Sequence, residues 1–219
     1  MRLALLATLV CMAAHELPQA SKEQSSRAKP RSNSAEEAKK PEPRPYSEGR
    51  LSERDFAAAI PAGQIIQAST YTSIDFNYRY RMIAQGSGVQ LVAGQIFTQA
   101  SVDPARSWNK TPGDLRLLDH EQGHFDITQV YTLRWRARFE TLMRQGVLKA
   151  SGPTEKAAYD VLQSIVQKEF QELFKTWEAE QREYDNQTNH GLDRKRQDEW
   201  RKRLDEQLQE ARSPQAKKS

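Results

Sequence analysis

Residues 117–128 read LLDHEQGHFDIT, and inside that run His120, Glu121 and His124 spell HExxH. The spacing has chemical meaning only on a helix. Side chains there advance by about 100° per residue, so four residues return to within about 40° of the start. His120 and His124 then share a face, Glu121 stands at its margin, and Gln122 and Asp126 point roughly the opposite way. Two imidazoles one turn apart can grip zinc, and the glutamate between them can act as general base on a zinc-activated water. A chain with this run must build a half-buried helix here. It must also bring a further ligand from elsewhere, because hydrolytic zinc usually takes three protein ligands and keeps one position open.

The neighbouring residues supply that helix. Thr111 is the expected N-cap, Pro112 fits the first helical position and Asp114, three residues past the cap, can play a capping-box role. The helix is expected to run to about residue 145, with Thr128 and Tyr131 near the histidine face. After Gly146 and Gly152-Pro153, a second long helix follows from Tyr159, Leu162, Val166, Phe170, Leu173, Trp177 and Tyr184, which recur mostly at three-to-four spacing. Those aromatics read as core. A last helix is marked by Trp200, Leu204, Leu208 and Ala211.

Upstream, residues 57–107 have strand character. Ile74, Phe76, Tyr78, Tyr80 and Met82 alternate with Ser73, Asp75, Asn77, Arg79 and Arg81, the pattern of a half-buried strand. Residues 84–88 (AQGSG) make a turn and residues 89–99 a second strand, giving an antiparallel hairpin or meander. Beside a metal site, its edge could pair with an extended peptide. The expected fold class is α+β: a small antiparallel sheet followed by a mainly helical part, with HExxH on a long helix.

Outside this block the chain changes character. Met1-Arg2 and the apolar run over residues 3–14 read as an export signal occupying residues 1–20, too short for a span of about 20 residues. Cys11 is the only cysteine and Val10 precedes it, which argues against lipidation, so no membrane span is expected after signal cleavage. Residues 21–55 are rich in Ser, Lys, Glu, Arg and Pro and read as a disordered linker. Residues 56–212 hold the domain, with all four Trp, all seven Phe and every Tyr but Tyr46, and residues 213–219 are an expected disordered tail. The net charge of +4 is spread out, without a stripe of cations and aromatics, so nucleic acid is not the expected partner.

The chain has only four histidines, and His15 falls in the export signal. That leaves His190 as the expected third ligand, within the polar cluster of residues 183–191, EYDNQTNHG. Asp185 or Glu183 is the alternative, since a carboxylate from a later helix can complete such a site. In that case His190 or Tyr184 is free to stabilise the oxyanion of a tetrahedral intermediate.

At LLDHEQGHFDIT and EYDNQTNHG the sequence resembles a bacterial domain-of-unknown-function family of predicted secreted zinc-dependent proteases. The likeness covers about residues 60–205, and the motifs match at His120, Glu121, His124, Tyr184, Asp185, Thr188, His190 and Gly191. The resemblance implies a zincin-like domain. The metzincin pattern does not fit, because Ile127 and Val130 stand where its glycine and third histidine belong. The expectation is an exported peptidase, periplasmic or secreted, that cleaves a peptide or protein substrate. His120, His124 and His190 would hold Zn2+, Glu121 would be the base, and Tyr184 and Asp185 would have transition-state or supporting roles. The competing expectation is a non-catalytic envelope protein that uses the same zinc structurally or to bind a partner.

Overall fold

The computed structural model describes residues 41–212. The expected export signal over residues 1–20, the part of the expected linker over residues 21–40 and the expected tail over residues 213–219 lie outside the described residues. In chain order the elements are β1 (Arg44–Pro45), β2 (Ala68–Ser69), β3 (Thr72–Gln85), β4 (Gly88–Val102), β5 (Trp108–Asn109), α1 (Leu115–Arg144), β6 (Lys149–Gly152), α2 (Glu155–Thr188) and α3 (Arg194–Arg212). The architecture is α+β.

The β3–β4 hairpin is antiparallel, from Thr72 opposite Val102 to Gln85 opposite Gly88. Tyr78 faces Ile96 but Tyr80 faces Ala93, so β4 carries one extra residue, a bulge at Gly94–Gln95. β3 lies along one edge of β4. The other edge takes β1 at one end and β6 at the other, while β2 and β5 form a separate two-stranded ribbon. Alternation does what the sequence suggests as far as Tyr78: Ile74, Phe76 and Tyr78 are buried, and Met82 near the tip is exposed.

The inward face of the sheet meets α1 and α2. Ile127, Val130, Trp135 and Phe139 of α1 and Ala158, Leu162, Val166 and Phe170 of α2 are at most 2% exposed. Phe76 stacks on Phe170 at 4.9 Å and meets Trp135 edge-on at 5.4 Å. Burying each such large apolar side chain stabilises the fold by about 1.5–3 kcal/mol, which outweighs the weak helix propensity of the aromatics. From α3, Trp200, Leu204 and Leu208 complete the core.

Two boundaries differ from expectation. Residues 44–55, assigned to the linker, fold as β1 and two short 3-10 turns that strap across the back of α1. Arg44 places its fork on Asp55, with Nε–Oδ1 at 2.6 Å and Nη2–Oδ2 at 3.1 Å, while Leu51 is buried with Phe125, Ala100 and Val102. A segment poor in apolar residues is thus ordered by a buried ion pair, which composition does not reveal. At the start of α1 the cap is Asp114 rather than Thr111: its Oδ1 accepts from the amides of Arg116 and Leu117. Gly113, at φ +91°, turns the chain into that position.

Candidate metal centre

The motif run of α1 works on both of its faces. On one, His120 and His124 aim their Nε2 atoms at Asp185 Oδ1, from 3.2 and 3.0 Å. Asp185 belongs to the last turn of α2. Just past that helix, His190 brings Nδ1 to the same oxygen at 3.3 Å. The ligand atoms of His120, Asp185 and His190 all lie within 4.8 Å of one another, close enough to hold a metal ion.

The two motif rings are oriented from behind. Gln181 Oε1 lies 2.6 Å from His124 Nδ1, and the Gln181 amide nitrogen donates to the carbonyl of His124 at 3.0 Å. Thr188 Oγ1 donates to the Tyr184 carbonyl and therefore meets His120 Nδ1, at 3.4 Å, as an acceptor. Both rings are thus held at Nδ1 and present Nε2 to Asp185, whose Oδ1 accepts from these nitrogens; the same Nε2 atoms are the ones a metal ion would take in place of their protons. Burial lowers the pKa of His120. The same burial acts on His124, but the Asp185 carboxylate outweighs it and raises that ring to about 9. Asp185 is half-buried, which opposes its ionisation, yet the two histidines hold its carboxyl well below the usual carboxylate range.

Glu121 is 3% exposed and accepts a hydrogen bond on Oε2 from Thr70 Oγ1 at 2.5 Å. Thr70 sits in residues 66–72, which form one wall of a cleft with about 920 Å³ of empty space open to solvent. His120, Glu121, His124, Asp185 and His190 line the same cleft, so the structure brings these five expected residues together.

Two expected residues go elsewhere. Glu183 stands two positions from Asp185, about 200° around the helix, and is exposed, accepting from Gln187 Nε2 at 2.5 Å. Tyr184 is fully buried behind the histidines rather than in the cleft. Its ring stacks on His120 at 4.7 Å and its hydroxyl donates to the His120 carbonyl at 3.1 Å. A hydroxyl committed there cannot reach a substrate, so Tyr184 positions His120.

The opposite face of the run holds the fold around the site. Gln122 Oε1 accepts from the Leu51 amide at 2.7 Å. Asp126 accepts from Tyr46 at 2.6 Å, from Gln122 at 2.7 Å and from Arg201 of α3 at 2.5 Å. This is the role the helical wheel reserves for Asp126 once it is turned away from the metal. The sequence reading missed Gln181, which the four-residue spacing to Asp185 could have suggested, and Thr70, which no local signal marks.

No curated protein and no solved structure matches the chain. Residues 51–191 match the model of a family described as a bacterial protein of unknown function, DUF922. The matched span opens at Leu51, whose amide Gln122 binds, and closes at Gly191, beside His190. The protein belongs to the DUF922 family of bacterial proteins of unknown function.

Proposed function

We propose that this protein is an exported zinc-dependent peptidase. The observation that carries the reading is the convergence of three imidazole nitrogens on Asp185 Oδ1, at 3.0–3.3 Å, in a cleft that also presents Glu121. Imidazole nitrogen and carboxylate oxygen are the donors zinc takes, so the residues present fit that ion, and His120, His124, Asp185 and His190 would hold it. Zinc bound there would polarise a carbonyl and lower the pKa of water toward about 7.

Glu121 supplies the base. Thr70 holds its Oε2, and Oε1 makes no hydrogen bond among the described residues, so that oxygen is available to take a proton from water and return it to the leaving amine. Residues 66–72, which include β2, give the cleft a wall along which an extended peptide can lie. Export rests on the signal-like residues 1–20. No helix among the described residues is long and apolar enough to cross a membrane.

One observation favours a second reading. Beside the group of His120, Asp185 and His190, His124 Nε2 also lies 3.0 Å from Asp185 Oδ1, which makes four potential donors, the number found in closed structural zinc sites. A digest of a broad peptide library by the full chain separates the two. On the peptidase reading the wild type cleaves and a chelator stops it, while Glu121→Gln keeps its zinc and loses hydrolysis. Undiminished cleavage by that variant would sink the mechanism, and no cleavage by zinc-loaded wild type favours the structural clip.

A further inference from the structure

The four donors are not equally held. His120 and His124 side chains are 2% and 14% exposed, and each ring is tied on its far nitrogen, to Thr188 and Gln181. Asp185, 31% exposed, lies within the regular helix α2. His190 differs on every count: its side chain is 51% exposed, and Asp185 is its ring's one polar contact among the described residues.

Its backbone is also singular. Asn189, at φ 49°, and His190, at φ 52°, are the two non-glycine residues with positive φ among those described, and Gly191 follows at φ 82°. A left-handed conformation crowds the Cβ against the following carbonyl, and it persists only where the surroundings enforce it. Here they do. The His190 amide donates to the Asp185 carbonyl at 3.0 Å, and the Asp193 amide donates to that of Thr188 at 2.8 Å. Gly191 is pressed so closely on His120 that a Cβ would stand 2.9 Å from the His120 Cβ. The turn therefore delivers the His190 ring to the donor cluster by a fixed backbone, while side-chain rotation alone can carry the ring into solvent.

On the metal-site reading proposed above, we infer that His120, His124 and Asp185 are the permanent donors and that His190 is an exchangeable fourth. With His190 engaged, four protein groups close the site. With its ring rotated out, three remain and the cleft gains the open position that hydrolysis needs. His190 is then a gate on the site rather than part of its foundation, and the two readings of the centre become two states of one protein.

The test uses the full chain and His190→Gly, since glycine adopts the left-handed turn without strain. Zinc affinity is measured by competition with a chromophoric chelator, and cobalt(II) is substituted to read coordination from the visible spectrum. Unfolding curves confirm that the variants fold. The expected result is that His190→Gly still binds one zinc with a loss of no more than about tenfold, while Asp185→Ala and His120→Ala lose more than about a hundredfold, beyond the 10–100-fold typical of supporting residues. The cobalt spectrum of His190→Gly should differ from wild type and return toward it when free imidazole is added. A loss in His190→Gly as large as in His120→Ala would overturn the assignment by making His190 a permanent donor. A cobalt spectrum identical to wild type would overturn it by removing His190 from the donor set. Absence of stoichiometric zinc in the wild type would instead overturn the metal reading itself, and this inference with it.

Discussion

Gly123 and Tyr184 are in contact so close that no side chain fits between them: a Cβ on Gly123 would stand 2.3 Å from the Tyr184 hydroxyl oxygen and 2.4 Å from Cζ. The glycine in the middle of HEQGH is therefore needed for close approach, in a helix where it otherwise costs about 1 kcal/mol relative to alanine. Gly123→Ala should destabilise the fold by about 1–3 kcal/mol through overpacking, despite the better helix propensity of alanine. On the metal-site reading it should also weaken zinc binding, because displacing Tyr184 displaces the His120 ring stacked on it. Urea unfolding and a zinc titration check both. Tyr184→Phe keeps the ring and should cost only about 1 kcal/mol for the lost hydrogen bond.

Thr70 holds Glu121 at the lining of the cleft. On the peptidase reading, Thr70→Val should lower kcat by about 10–100-fold, the value of a hydrogen bond to a charged group, with KM and zinc content nearly unchanged. Thr70→Ser, which keeps the hydroxyl, should retain most of the rate. Steady-state kinetics on a peptide from the library digest decide it, and equal losses in both variants would rule out the hydrogen bond as the cause.

Asp126 is 3% exposed at its side chain and pairs with Arg201, itself 16% exposed. Removing the cation strands a buried carboxylate, so Arg201→Met should cost about 3–5 kcal/mol. Adding Asp126→Asn to that variant should recover part of the loss, since the stranded charge is then gone. Denaturant unfolding of the four proteins in the cycle measures the coupling. Simple additivity would mean that the pair contributes nothing specific.

Tyr131 donates to Glu180 at 2.7 Å, and burial together with that carboxylate raises its pKa from 10.0 to about 12. The folded value lies above the unfolded one, so the protonated phenol stabilises the native state. That contribution is complete below pH 10 and is lost as pH rises through 12. Between these values wild type should lose more stability than Tyr131→Phe, as read from urea midpoints. Parallel losses would contradict the assignment.

What the sequence made legible follows from which interactions are periodic. The hairpin, the two long helices and α3 announce themselves because apolar side chains recur at intervals of two or of three to four. The helical wheel separates His120, Glu121 and His124 from Gln122 and Asp126, as the structure does. Interactions between single polar residues far apart in the chain leave no such trace. Arg44 with Asp55 turns an apparent linker into a strap, and Thr70 finds Glu121 across 51 positions. Tyr184 and Glu183 fall in the right cluster, but their neighbourhood alone does not say which way each side chain turns. That depends on the angular phase of α2 against α1, which packing sets.

The donor cluster joins residues 65 positions apart, His120 to Asp185, with β6 and most of α2 in between. Closing a loop of that length has an entropic cost that a metal contact must offset unless the helices have already docked. Synthesis order adds a constraint, because Asp185 and His190 follow all of the described strands and the whole of α1. The cluster is therefore a late product of folding: on the metal-site reading, a nascent chain could capture an ion through these donors only after most of its core residues have been made, and stable loading would report that the helical pair has assembled.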